Sequence, residues 1–239
     1  MLTPTKFRLS LKSIDNPLIG INQYWSNGGS LENTGFELSL TFKPVVVRNF
    51  NVELGASVGH YKNQLKSLPS YNDIYLGSDT PAHGLLVSAY GTDNIATVIG
   101  QPVGVFYGYK TDGVLKDEAP AGTVGKNGYL YYLDETGQPQ YFHAGDMKFI
   151  DLNGDGEISD HDRTIIGDPN PDVYGNIFAT INWKHLTLSA VFNYSLGNDV
   201  FNYYRSVLEG GKNFYNQTVA MTNRWRADGQ ETNMPRAVY

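Results

Sequence analysis

Four stretches of two-residue alternation, each about ten residues long, confine this chain to sheets with one apolar and one polar face. In FELSLTFK, Phe36, Leu38, Leu40 and Phe42 fall on one side, and Glu37, Ser39, Thr41 and Lys43 on the other. NVELGASVGH sets Val52, Leu54, Ala56 and Val58 against Asn51, Glu53, Gly55, Ser57 and Gly59. The connection between them, PVVVRNF, has hairpin length. Further along, VYGNIFATINWK gathers Val173, Ile177, Ala179, Ile181 and Trp183 on one face. LTLSAVFNYSL does the same with Leu186, Leu188, Ala190, Phe192, Tyr194 and Leu196, and Lys184 and His185 make the turn. TKFRLSLK, with Phe7, Leu9 and Leu11 on one side, predicts a fifth strand. Strands of this length exceed the usual five or six residues of a globular strand and match what a tilted membrane strand needs.

Composition points the same way. With 26 Gly, 17 Tyr and 11 Phe against 18% charged residues, strands and tight turns are favoured and little helix is expected. A net charge of -6 provides no basic footprint for nucleic acid. The absence of cysteine excludes disulfides, thiolate metal sites and a cysteine nucleophile. The start, MLTPTKFRLSLK, has no apolar run of the signal-peptide kind, and nowhere do about 18 apolar residues run together, so any membrane role falls to strands. The chain starts inside a strand pattern and stops at NMPRAVY without a closing strand, so both ends are expected to be cuts from a larger protein.

The expected organisation is strands and a hairpin over residues 1–63, a long loop region over 64–172, a hairpin over 173–200 and a loop segment over 201–239. Turns after Lys43 and Lys184 are short, while the connections at the opposite strand ends are long. Outer-membrane barrels show that asymmetry, with short periplasmic turns and long extracellular loops. Phe50, Tyr61, Trp183 and Tyr194, near the strand ends, suit an interfacial aromatic girdle. Alternation alone leaves two all-β architectures open. One is a segment of an antiparallel transmembrane β-barrel, and the other is a soluble, calcium-stabilised, carbohydrate-binding β-sandwich.

Within the loop region, DLNGDGEISDHD, residues 151–162, carries oxygen donors at the spacing of a calcium loop. Asp151, Asn153 and Asp155 hold positions one, three and five, and Gly156 permits the sharp turn at six. Glu157 offers its backbone carbonyl, Ile158 can join a short strand pairing, and Asp162 closes the loop with a side chain one methylene shorter than the usual glutamate. The competing reading is that these acidic groups only cap turns through local bonds to the backbone. GDMKFI reads as a strand rather than an entering helix, so a lone structural loop is expected, with calcium as its ion.

Catalytic signals are missing, and the chain is not expected to be an enzyme. The five histidines lack paired zinc spacing, and no serine sits in a nucleophile-elbow sequence. FNYYRSVLEGGKNFYNQ, with Phe201, Tyr203, Tyr204, Phe214 and Tyr215, has the makeup of a carbohydrate platform and equally of a protein interface.

Several stretches together resemble one family. NGGSLENTGFELSL, GQPVGVFYGYKTDGVL, AGDMKFIDLNGDGEISDHDRTIIGDPNPDVYGN and NRWRADG are similar to the C-terminal half of the SusC/RagA-type TonB-dependent transporters of Bacteroidota outer membranes. The resemblance implies a barrel of about 22 strands with a plugged lumen, of which this chain would supply part of the wall and outer loops, without plug domain or TonB-box segment. It implies import of glycans, or sometimes peptides, across the cell outer membrane, with a SusD-like surface lipoprotein as lid and TonB as energy source. It places the acidic loop (Asp151, Asn153, Asp155, Glu157, Asp162) outside the cell as a metal loop, and the segment from Phe201 to Arg236 against the lid. Tyr203, Tyr204, Phe214, Tyr215 and Trp225 are therefore the expected ligand- or partner-facing residues.

Overall fold

The computed structural model describes residues 10–13, 23–26, 29–89, 92–117, 124–125, 128–211 and 216–237. Its strands are β1 (Ser10–Ser13), β2 (Gln23–Ser26), β3 (Ser30–Val47), β4 (Phe50–Ser67), β5 (Asn72–Ile74), β6 (Ala82–Ala89), β7 (Thr92–Val98), β8 (Val105–Tyr109) and β9 (Thr111–Val114). They continue as β10 (Val124–Gly125), β11 (Gly128–Tyr129), β12 (Tyr131–Leu133), β13 (Pro139–Tyr141), β14 (Met147–Phe149), β15 (Arg163–Gly167), β16 (Val173–Trp183) and β17 (Leu186–Leu196). The single α-helix among the described residues is α1 (Tyr203–Leu208), and no helix among them is long and apolar enough to cross a membrane. The class is all-β, as the alternation predicts.

The chain divides into two compact units. The first comprises residues 1–71, 97–105 and 167–200, and the second residues 72–96, 106–166 and 201–239.

The first unit is built on an open four-stranded sheet in the order β17-β16-β4-β3, antiparallel throughout. Its register aligns the alternating residues into rows across all four strands. Leu40, Ala56, Ile177 and Phe192 form one row; Phe42, Leu54, Ala179 and Ala190 the next; then Val45, Val52, Ile181 and Leu188; and finally Val47, Phe50, Trp183 and Leu186. These rows all lie on one face. Leu38, Leu40, Leu188 and Phe192 are 62–69% exposed, so this face is not the inside of a closed core. The opposite face is polar and bonded to itself. Tyr174 donates to Glu37 at 2.6 Å, Thr187 donates to Asn182 at 2.8 Å, and Lys43 pairs with Glu53 at 3.4 Å.

Two expectations about these strands need correction. PVVVRNF is mostly strand rather than connection, since β3 runs through Val47 and only Arg48 and Asn49 turn. A bulge between Phe42 and Val45 makes this possible: it inserts a residue at Lys43–Pro44 and returns Val45 and Val47 to the apolar face. Proline, which has no N–H to give the ladder, is tolerated there. Tyr61 also leaves the expected girdle. It lies on the polar face, its ring edge-on to Tyr174 at 5.8 Å, whereas Phe50 and Trp183 do share the last apolar row. Lys184 takes the left-handed conformation (φ 52°) that the two-residue turn to β17 requires.

Glycine is needed where the polar face is crowded. A Cβ on Gly55 would lie 2.2 Å from the Phe178 ring, and one on Gly59 would lie 2.5 Å from the Tyr174 ring. Each aromatic ring covers the glycine directly opposite it, which restores side-chain contact where the strand would otherwise be bare.

Of the expected fifth strand, Leu11 lies in β1, which pairs with β2, while Phe7 and Leu9 fall outside the described residues.

The second unit has more sheet than its weak alternation suggests. A five-stranded sheet, ordered β15-β8-β7-β6-β5, has most of its length here. Short two-stranded ladders join β12 to β13 and β9 to β14. Its buried residues include Ile74, Ala96, Tyr107, Leu130, Ala144, Ile158 and Met221. The strands of this unit are two to eight residues long, too short for a sustained two-residue pattern to show.

Candidate functional site

The acidic loop is held by side-chain oxygens bonded to its own backbone. Asp151 accepts from the amides of Gly154 at 2.5 Å and Gly156 at 3.0 Å, and both glycines have positive φ. Asn153 accepts from the amide of Asp155 at 3.2 Å, and Asp155 from that of Glu157 at 2.8 Å. Asp162 is fully buried and accepts from the amides of Leu152 at 2.8 Å and Ser159 at 2.9 Å, which ties the first and last turns of the loop together. Burial raises its pKa above the usual carboxylate value, opposed by those same amide bonds. As expected at position eight, Ile158 joins a strand pairing: its amide donates to the Tyr131 carbonyl at 2.7 Å, and Tyr131 donates to the Gly156 carbonyl at 3.2 Å.

A residue far away in sequence completes the loop. Asp79 accepts from the Asn153 side-chain Nδ2 at 2.8 Å and lies 2.9 Å from His161 Nδ1, while His161 stacks on Tyr75 at 3.8 Å. These contacts, Asn153 first, hold the Asp79 carboxyl below its ordinary pKa. Next to the loop, Arg163 lies 4.3 Å over the Tyr107 ring, bonds Asp160 at 3.3 Å and donates to the Asp93 carbonyl. The donor set is all oxygen, which suits a hard cation such as calcium. As hydrogen-bonded here, no three Asp, Glu or His side chains among the described residues converge on one point. Asp151, Asn153, Asp155 and Asp162 are the side chains that could hold such an ion, along with the Glu157 carbonyl.

A second feature of this unit was not visible in the sequence. A cleft of about 710 Å³ is lined by Tyr109, Tyr132, Phe142 and Phe149, with Asp146 and Arg236 at its wall and Glu157 to Ser159 of the acidic loop along one side. Its rings form a chain: Tyr132 to Phe142 at 5.3 Å, Phe142 to Phe149 at 5.6 Å, and Phe149 to Tyr109 at 5.6 Å. Arg236 forms a two-pronged bond to Asp146, at 2.8 and 3.2 Å. The cleft therefore offers flat apolar faces beside charged hydrogen-bonding groups, within the size range of ligand pockets.

Trp225, expected to face a partner, is engaged inside this unit. Its indole N–H donates to the Lys116 carbonyl at 3.1 Å, and its ring covers Gly145, where a Cβ would come within 2.5 Å. It props the segment that delivers Arg236, whose amide donates to the Gly145 carbonyl at 2.8 Å. Tyr204 is 78% exposed and Tyr203 about half as much, at 37%; both lie on α1, which Asn202 caps by accepting from the Arg205 amide. Phe214 and Tyr215 lie outside the described residues.

The hairpin that brings Tyr132 and Leu133 to the cleft turns on Asp134. Its carboxylate accepts from the Thr136 hydroxyl at 2.6 Å, the amides of Gln138 and Thr136 at 2.9 Å, and Gln140 at 3.0 Å. These bonds, led by Thr136, lower its pKa from 3.8 to about 2. A depressed acid stabilises the fold above its unfolded value and loses that contribution as pH falls through the folded value. Exchange protection of the Gln138 amide is therefore expected to hold above pH 3.8 and to fade toward pH 2. Asp134→Ala should lose it at every pH, and unchanged protection in that variant would refute the assignment.

No protein-family model matches the chain. It is 31% identical over 218 residues to the TonB-dependent receptor P3 of Formosa agariphila, covering 91% of this chain and 20% of that protein. It is 27% identical over 196 residues to the TonB-dependent receptor SusC of Bacteroides thetaiotaomicron, covering 80% of this chain and 17% of that protein. The fold superposes on the RagAB peptide transporter with a TM-score of 0.59 at 21% identity, covering 94% of this chain and 22% of that one. The chain thus spans about a fifth of the length of the relatives it matches. Over most of its length the chain is similar to TonB-dependent receptors, SusC among them, and its fold matches part of the RagAB transporter, which together support its reading as a SusC/RagA-type fragment.

Proposed function

We propose that the protein to which this chain belongs is an outer-membrane nutrient importer, and that the four-stranded sheet is part of its barrel wall. The supporting observation is the uncovered apolar face whose rows stay in register across four strands. From Val173 to Trp183, β16 runs about 34 Å at about 3.4 Å per residue, and tilted by about 40° it rises about 26 Å, enough to span a hydrocarbon band about 25 Å tall. The polar face then lines the wet interior. A soluble sandwich would need the same residues packed in a closed core, and Leu40 at 69% exposed and Phe192 at 67% argue against that.

The finer assignments concern the complete receptor. We assign it a glycan or peptide cargo, a SusD-like surface lipoprotein as lid, and energy from TonB, with no covalent step on the cargo. The aromatic cleft and the exposed tyrosines of α1 are the surfaces this chain offers to cargo or lid. Deleting the receptor gene is expected to abolish growth on one glycan or peptide source; a deletion strain that grows normally on all of them would sink the import reading. The wall reading has its own test, made simple by the lack of cysteine in this chain. In the complete receptor in lipid, a cysteine at Leu188 should react with a membrane-dissolved maleimide and resist a charged one, and a cysteine at Ser189 should do the reverse. Equal reactivity at both sites would rule the wall out.

We also assign calcium, as a structural ion, to the acidic loop. Its oxygen donors and its anchoring by Asp162 support this, and when bound the ion would stiffen the side of the cleft formed by residues 157–159. Tyr131, whose hydroxyl is 3.4 Å from Glu157, is placed to sensitise terbium emission. Terbium added to the complete receptor should give emission that calcium displaces and that an Asp151→Asn, Asp155→Asn variant lacks. Equal emission from both proteins would remove the ion from this loop.

A further inference from the structure

We propose that the turn end of the four-stranded sheet binds a lipid with an anionic phosphate headgroup, an inference that rests on the barrel-wall reading above. At this end the last apolar row forms a shallow groove of about 260 Å³, lined by Phe50, Ile181, Trp183, Leu186 and Leu188. The groove is almost wholly apolar, the surface an acyl chain requires. Directly beyond it lie the two hairpin turns, Arg48–Asn49 and Lys184–His185, tied to each other by the Lys184 amide donating to the Asn49 carbonyl at 2.8 Å. That bond gathers Arg48, Lys184 and His185 at one end of the sheet.

Among the described residues neither Arg48 nor Lys184 pairs with a carboxylate. Residues 44–52 and 181–188 contain no aspartate or glutamate, and the carboxylate of neighbouring Glu53 is taken by Lys43 at 3.4 Å. Lys184 and Arg48 are exposed. Lys184 Nζ sits 5.7 Å from the centre of the Trp183 ring, so the positive charge stands level with the aromatic residue that closes the apolar band. An apolar groove that opens onto an uncompensated cationic rim matches the two halves of an acidic phospholipid. A zwitterionic lipid fits the groove equally well but brings its own positive charge to the rim. Basic groups beside a membrane select anionic headgroups on that account.

The experiment uses the complete receptor in nanodiscs, with the fluorescence of Trp183 taken as the difference between wild type and Trp183→Phe. Brominated phosphatidylglycerol and brominated phosphatidylcholine, each at low mole fraction in a neutral lipid background, serve as quenchers. The proposal expects both to quench Trp183 and the phosphatidylglycerol to be preferred. The preference should fall about fivefold for each charge removed in Arg48→Gln and Lys184→Asn, and should collapse in high salt. Asparagine suits the left-handed turn position, so Lys184→Asn leaves the hairpin intact, and Lys184→Arg should retain the preference. Equal quenching by the two lipids would overturn the headgroup site and leave the barrel-wall reading standing. No quenching by either would overturn both.

Discussion

Cross-strand register in the β17-β16-β4-β3 sheet is the constraint on which the rest of this chain depends. Because side chains alternate with a period of two, a slip of one residue in any strand would carry its entire apolar set to the polar face. The pairing avoids this with few devices. Ile177 lies opposite both Ala56 and Phe192, Phe178 fills the space above Gly55, and the bulge at Lys43–Pro44 returns the end of β3 to phase. An antiparallel sheet of this kind, polar on one face and apolar and open on the other, is stable only where the apolar face meets something other than water. Likeness to TonB-dependent receptors and the exposure of Leu40 and Phe192 are thus two expressions of one arrangement.

How much of this was legible in the sequence depended on distance along the chain. The alternation of Phe36 to Phe42 and Leu186 to Leu196 is local, and so is the Lys184–His185 turn, so fold class and facing could be read directly. The spacing of Asp151, Asn153, Asp155 and Asp162 is also local, and it revealed the loop. Partners contributed from elsewhere could not be read this way. Asp79 is 74 residues from Asn153, and Arg236 is 90 residues from Asp146; neither belongs to a motif that names its partner. The bulge misled the reading for a different reason: a single inserted residue breaks period two, so PVVV looked like a connection although the strand continues through it.

Tyr131 shows why the acidic loop and the cleft form one structural unit. Its backbone pairs with Gly156 and Ile158, while the next residues, Tyr132 and Leu133, line the cleft together with Glu157 to Ser159. Anything that reorganises residues 156–158 must move one side of the cleft, because the two share a ladder rather than a mobile linker. Asp162 sets the rigidity of that ladder. A carboxylate with no solvent exposure is costly to ionise, yet it serves here as acceptor for amides at both ends of the loop. A hard cation beside it would offset the cost by favouring the ionised form that already makes those bonds.

The two units have opposite relations to water, and this explains their different sequence grammar. In the first unit one face is apolar and the other largely polar, so alternation runs the length of β16 and β17, with Phe178 and Val191 as apolar exceptions on the polar face. In the second, strands are short and burial is decided contact by contact: Tyr107 is buried, yet bonds the Tyr75 carbonyl and carries Arg163 on its ring. A phenol in that position is pushed up to about 12 by its burial, so it remains a hydrogen-bond donor across the physiological range. Charged groups, which the first unit keeps to its polar face and its ends, are in the second packed among aromatic rings, as Arg163 is on Tyr107 and Asp162 is buried. That use of Arg, Asp and Tyr as packing allows a loop-rich sequence to build an ordered cleft, with Arg236 held on Asp146 at its wall.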